Sequence, residues 1–297
     1  METLDYSNSY FWFKSYFTES NLKQIIKKQT NKVTTLRRKR YYYLITLQYL
    51  GFRYHGWQKQ PEVNTVQRMT ERTLAYVFGH KNFKLLASGR TDAKVSANEI
   101  AIELFLDNET LDIPEFLPLF NQNLPQDIRA LAITETDEKF NIIQHPKVKE
   151  YIYLFAFGEK YHPFAAPYMT NVLHDLDIEL MKKGAKLFEG NHYLKTYCYK
   201  PTEHTILEGE IELCEIIEND LYTANFFPEK SYVLRVKGAG FKRHQIRMMM
   251  GTLILLGKHE LDLDFIERSL LPNSTLEVNY IAPASGLILN KMTFKEL

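Results

Sequence analysis

The sequence predicts an α+β fold in which two related halves share a continuous, mainly antiparallel sheet flanked by helices. Three observations carry this expectation. Segments rich in aromatic and β-branched residues recur in both parts of the chain, as at 41–50 and 150–158. Helical segments with explicit start and stop residues lie between them, as at 64–79 and 177–190. The order strand-helix-strand-strand then occurs on each side of a break near residue 145. The expected organisation is a basic N-terminal extension (1–40), an N-terminal half (41–148) and a C-terminal half (149–297), with a cleft between the halves.

Taken in order, the extension carries Lys23, Lys27, Lys28, Lys32, Arg37, Arg38, Lys39 and Arg40 with no acidic residue among them. Such a run suits phosphate contact, and equally a solvated tail. Residues 41–50 predict the first strand. The next ten, GFRYHGWQKQ, form a loop in which Arg53, His55 and Lys59 are interleaved with aromatics and two glycines, a composition suited to nucleic acid. A helix follows, capped by Asn64 or Thr65, with Val66, Met69, Thr73, Leu74 and Val77 on one face and Gly79 closing it. Residues 83–86 read as a short strand leading into the polar turn Ser88-Gly89-Arg90-Thr91-Asp92. Beyond it Ile100, Ile102, Leu104 and Leu106 alternate with Glu99, Ala101, Glu103 and Phe105, which predicts a strand buried on one face.

Pro114 opens a short helix to about Asn121, and a strand follows at 129–134. In the second half, Tyr151, Tyr153, Phe155 and Phe157 share one face of a strand. A helix is expected at 177–188, and strands within 205–217 and 231–237. Gly238 and Gly240 predict a tight turn into a helix that begins at the run Lys242-Arg243-His244. Ile246, Met249 and Met250 face its core side, with Phe241, His244 or Gln245, and Met248 on the other. Arg247, flanked by Ile246 and Met248, is expected to be half-buried and therefore to need an anion.

The composition, 45% hydrophobic and 25% charged over 297 residues, is that of a globular protein with a sizeable core. A net charge of +1 means that any affinity for nucleic acid must come from local clustering. Phe and Tyr, 19 of each, supply either core or base-stacking surface. Cys198 and Cys214 make no metal or disulfide pattern, so a reducing cytoplasm is expected. Neither a membrane span nor a signal peptide is expected. Read alone, Asp92 either caps its own turn or is a carboxylate held on a loop between strands, fixed in place and open to solvent.

Gly89-Arg90-Thr91-Asp92-Ala93 followed by Val95-Ser96-Ala97 resembles the signature loop of the tRNA pseudouridine synthase A (TruA) family, which has glycine at Lys94 and histidine at Ser96. Further matches run in order from about residue 42 to 293: Thr65-Val66-Gln67, Asn123-Leu124-Pro125, Tyr151-x-Tyr153, Phe241 with His244-Gln245, Ile246-Arg247 and Gly251, and Gly286-Leu287-x-Leu289. Leu50 stands where the family has an aspartate, and Ile143 where it has an arginine. The resemblance implies the pseudouridine synthase fold and isomerisation of uridine to pseudouridine, at positions 38–40 of the tRNA anticodon arm. It implies Asp92 as the catalytic residue, Arg247 as its partner, Tyr151 as the residue stacking on uracil, and Leu289 lining the uracil pocket. No metal or organic cofactor is expected, and a homodimer is. Arg90, Arg53, His55, Lys59, Lys242, Arg243, His244 and Gln245 are the candidates for substrate contact. Two rival functions fit the same sequence. One is an RNA-binding protein of this fold with impaired catalysis, for which Lys94, Ile143 and Leu50 argue. The other is a carboxylate hydrolase of nucleosides or sugars, which would want a second acid near Asp92.

Overall fold

The computed structural model describes residues 39–145 and 147–294. Lys23 to Arg38 of the basic run lie outside the described residues. Arg40–Leu297 forms a compact unit by itself. Arg40 belongs to its first strand, where the guanidinium holds Asp107 at 2.9 and 3.3 Å.

The first part of this unit contains β1 (Arg40–Tyr49), α1 (Val66–Phe78), β2 (Phe83–Ala87), β3 (Ser96–Asp107), α2 (Ile113–Asn123) and β4 (Ile128–Thr136). The second contains β5 (Lys147–Phe157), β6 (Thr170–Val172), α3 (Ile178–Lys186), β7 (Gly190–Tyr193), β8 (Glu208–Ile211), β9 (Leu213–Glu218), β10 (Tyr232–Gly238), α4 (Gln245–Gly257), α5 (Leu263–Ser269) and β11 (Leu287–Phe294). The main sheet runs β4-β1-β3-β11-β5-β10-β9, with β2 added to β3 and β6 to β5. Its ladders are antiparallel except for β5–β6 and β3–β11, the latter joined at Ile288↔Ser96 and Leu289↔Ala97. β11 is thus the seam between the two parts. On its other edge it pairs with β5, placing Leu289 opposite Tyr151.

Helix ends follow from side chains that satisfy free backbone donors. The Arg68 N–H donates to Thr65 Oγ1 at 3.3 Å, that of Glu115 to Asp112 Oδ1 at 3.3 Å, and that of Leu180 to Asp177 Oδ1 at 2.9 Å. Gly79 ends α1 at φ 73°, in the left-handed region where glycine meets no Cβ clash. Two large apolar clusters lie under the sheet. One gathers Leu47, Leu74, Ile102 and Phe120, the other Phe155, Leu234, Met249 and Leu253, and Tyr151 packs against both.

Three local expectations are corrected. β3 is buried on both faces: Glu103 is 1% exposed, because the turn after Phe140 covers that face and Ile142 N–H donates to Glu103 Oε2 at 3.2 Å. Burial raises the pKa of this carboxyl above the ordinary carboxylate range. α4 starts at Gln245 rather than in the basic run, and it is buried nearly all round, Met248 included. The turn into it is made by His244 at φ 59°, while Gly238 and Gly240 have no left-handed angle. Gly238 instead gives close approach, since a Cβ there would stand 2.8 Å from Glu210 O.

Candidate active site

A cavity of about 1160 Å³ opens where the Asp92 loop, the β5 face carrying Tyr151 and the start of α4 converge. The loop is held from beneath by residues 51–57. Trp57 N–H donates to Thr91 O at 3.2 Å, Lys94 N–H to Tyr54 O at 3.0 Å, and Gly51 N–H to Ser96 Oγ at 2.9 Å. Tyr54 and Trp57 are each 3% exposed, so these aromatics of the GFRYHGWQKQ segment support the loop rather than face solvent. Two glycines make the fit possible. A Cβ at Gly51 would stand 2.0 Å from Val95 O, and one at Gly56, whose φ is +86°, would stand 2.6 Å from Thr91 O. Behind the loop, the Tyr49 hydroxyl and Thr91 Oγ1 are 2.8 Å apart.

Asp92 Oδ2 receives Arg247 Nη1 at 3.3 Å, and His244 Nε2 stands at the same distance. Arg247 is aimed by its own backbone surroundings: Nε–H donates to Ala282 O at 2.8 Å, and Ala282 N–H returns to Arg247 O at 3.0 Å. The His244 ring is stacked on Tyr199 at 4.7 Å, and its buried Nδ1 has no hydrogen-bond partner. Burial lowers the His244 pKa, with Arg247 and Arg243 acting in the same direction and Asp92 opposing them. The Tyr151 ring lies edge-on to Phe241 at 5.3 Å. Burial, reinforced by the charge of Asp92, raises its phenol well above the ordinary value, so it stays protonated.

His55, Arg90, Asp92, Tyr151, Lys242, Arg243, His244, Gln245 and Arg247 all line this cavity. Not all of them are available. Lys242 Nζ donates to Glu208 O at 2.9 Å, and the buried Gln245 accepts from Lys242 N–H at 2.7 Å, which secures the turn into α4. Arg243 lies over the Tyr199 ring at 5.1 Å. Three candidates stand elsewhere. Arg53 forks onto Asp127, Lys59 pairs with Glu71 at 2.7 Å, and Leu289 is 1% exposed in the core. Leu287, one strand period earlier, reaches the cavity wall in its place. Lys94, which stands where the family has glycine, lines the wall as well, and so do Lys149 and Phe52, which were not among the contact candidates; Lys149 could have been found from the period of two that puts it on the Tyr151 face. Lys94 adopts φ 67° and holds its ammonium 5.7 Å from the Phe52 ring centre. Ile143 is exposed, outside the cavity lining.

The lining therefore contains six lysine or arginine side chains and a single carboxylate, Asp92. Such a wall attracts a polyanion and presents it with one acidic group. Among the described residues no helix is long and apolar enough to cross a membrane.

A family model described as tRNA pseudouridine synthase matches residues 185–295. Full-length relatives extend the similarity to the Asp92 half. A Bacillus cereus protein named tRNA pseudouridine synthase A 2 is 30% identical over 255 residues, covering 85% of this chain and 99% of the relative. A tRNA pseudouridine synthase A of Listeria monocytogenes is 28% identical over 258 residues, with coverages of 85% and 99%. A Protochlamydia amoebophila tRNA pseudouridine synthase A 1 is 26% identical over 254 residues, with coverages of 85% and 96%.

Proposed function

The chain belongs to the tRNA pseudouridine synthase A family, and from that premise we propose that it isomerises uridine in the anticodon arm of tRNA, at positions 38–40, with Asp92 as the reacting carboxylate. In this isomerisation the N1–C1′ bond breaks, the uracil turns, C1′ joins C5, and the hydrogen at C5 is replaced on N1. Atoms balance without an added reactant. The observation that carries the reading is the lone carboxylate of the lining, 3.3 Å from Arg247 and among cations. A glycoside hydrolase works with two carboxylates, and the lining has one.

Each neighbour has a defined part. Arg247, anchored on Ala282 O, aims the carboxylate at the cavity. Tyr151, with its phenol kept neutral, offers a ring face on which the detached uracil stacks while it turns. Leu287 and Ile246 give that base an apolar wall. A uridine must leave its own stack to reach Asp92, which costs a few kcal/mol, offset by stacking and by phosphate contacts along the basic wall. Residues 41–148 thus contribute Asp92, and residues 149–297 bring Tyr151 and Arg247 to it.

Asp92→Asn tests the reading. The variant keeps shape and removes the charge, so turnover falls by at least about 10²–10⁴. Binding of tRNA changes by no more than several-fold, because it is spread over many phosphates. The Asp92–Arg247 pair is partly exposed, so the loss of stability stays below the roughly 3–5 kcal/mol of a fully buried pair, and a melting curve checks it. Retained turnover removes Asp92 from the reaction. A wild-type chain that binds tRNA but makes no pseudouridine favours the non-catalytic RNA-binding protein.

A further inference from the structure

Lys149 is the half-buried lysine of the cavity wall for which the described residues supply no partner. It lies two residues before Tyr151 on β5, so both side chains leave the same face of the strand about 6.6 Å apart. Its ammonium makes no hydrogen bond or ion pair among the described residues. The one charged neighbour that shifts it, Lys147, has the same sign, and that ammonium is already held by Ile142 O at 2.8 Å and Ile143 O at 2.9 Å. The partners of Lys149 across the sheet, Gly238 on β10 and Met292 on β11, carry no charge. From the facing loop come Arg90, which is exposed, and Asp92, which is engaged by Arg247 and His244. Room has been left for this ammonium. A Cβ on Gly89 would stand 2.9 Å from Lys149 Nζ, although Gly89 has no left-handed backbone angle to demand glycine.

A half-buried cation without a counter-ion on the wall of a binding cavity is incomplete until an anion arrives. The spacing says which anion. A side chain that leaves the strand two residues from a ring that stacks a base is placed to meet the backbone phosphate beside that base, the group to which most backbone contacts of nucleic-acid-binding proteins are made.

We propose that Lys149, with the space left by Gly89, forms a phosphodiester subsite that grips the RNA backbone beside the nucleotide whose base lies on Tyr151. This inference rests on the assignment of Tyr151 as the stacking residue. The subsite serves binding: it holds the RNA backbone and takes no part in bond making. Burial, with Lys147 as a lesser contributor, already lowers the Lys149 pKa to about 8. A bound phosphate restores the charged form, so the grip weakens as pH rises through about 8.

The test measures tRNA binding against salt, and pseudouridine formation at saturating tRNA, for the full chain and for Lys149→Met, Lys149→Arg and Gly89→Ala, each first shown to melt cooperatively. Lys149→Met is expected to bind several-fold more weakly at low salt, with a slope of log K against log salt shallower by about 0.7–0.9, the value for one phosphate contact. Its turnover at saturation stays within a few-fold of wild type. Lys149→Arg keeps the slope, and Gly89→Ala, whose Cβ meets only the flexible end of Lys149, changes binding by no more than a few-fold. Wild-type affinity falls between pH 7 and 9, and that fall is absent in Lys149→Met. An unchanged slope in Lys149→Met overturns the subsite, as does a collapse of saturated turnover with the slope intact, which would put the amine at the base. A wild type that makes no pseudouridine while Lys149→Met still loses slope sinks the proposed function and leaves the subsite standing. A wild type that makes pseudouridine with no difference in slope sinks the subsite alone. A chain that binds no tRNA overturns both.

Discussion

Two side chains at the cavity hold left-handed backbone angles that most residues avoid, and each sets an expectation. Lys94, at φ 67°, carries about 1–2 kcal/mol of backbone strain that glycine would not have. Against this, its ammonium rests on the Phe52 ring, and glycine gains freedom in the unfolded chain. Lys94→Gly is therefore expected to melt within a few degrees of wild type and to turn over normally at saturation. It binds tRNA several-fold more weakly, because one of the six cations of the wall is gone. A fall in saturated turnover with binding intact would assign Lys94 a direct part in the reaction. His244 is lowered from its ordinary value of 6.5, chiefly by burial. A depressed folded-state value means that its contribution to stability is complete above about pH 6.5 and is lost as pH falls through the folded value. His244→Asn, which tolerates the left-handed angle, should lose less melting temperature than wild type between pH 7 and 5. An identical acid limb in the two proteins would place the titration elsewhere. Residue by residue, the sequence exposed what short-range chemistry determines: a carboxylate in a tight turn, a tyrosine on a strand face, an arginine among apolar neighbours. It concealed the fates of Arg53 and Lys59, because Asp127 and Glu71, which hold them, are matters of tertiary position.

At the scale of elements, caps and alternation located strands and helices well, since both act within a few residues. Covering elements were harder to see. The alternation in β3 predicts one dry face, but a turn some 35 residues later lies over the other and buries Glu103. Likewise, glycines before α4 read as the turn, whereas His244 makes it. The support of the Asp92 loop by residues 51–57 is also an element-level property, and Gly56→Ala probes it. The added Cβ meets Thr91 O at 2.6 Å on a backbone at φ +86°, costing about 1–3 kcal/mol of stability. Because Thr91 adjoins Asp92, turnover should fall by more than tenfold while tRNA affinity changes little. Equal losses in both would show that the loop is not displaced on its own.

Across the whole molecule, a net charge of only +1 coexists with a cavity wall of six cations and one carboxylate. Attraction for RNA is therefore local, and it should be steeply dependent on salt. The N-terminal run adds seven further basic residues, from Lys23 to Lys39, ahead of a unit that is compact by itself. A chain beginning at Arg40 is expected to melt as wild type does and to modify the same uridine, with weaker tRNA binding and a flatter salt dependence, since phosphate contacts position without specifying. A change in the modified position would show that the extension takes part in choosing it.

β11 follows every other described strand in the chain, yet it lies in the middle of the sheet, between β3 and β5. During translation, at about 5–20 residues per second, the edges of β3 and β5 that face it stay unpaired until it arrives. Seven residue pairs tie β11 to β5 and two tie it to β3, so most of the late strand's ladder lies on the Tyr151 side. A growing chain consequently carries the Asp92 loop and the Tyr151 strand before the strand that lies between them. The nascent protein is therefore expected to be inactive until the closing strand has left the ribosome.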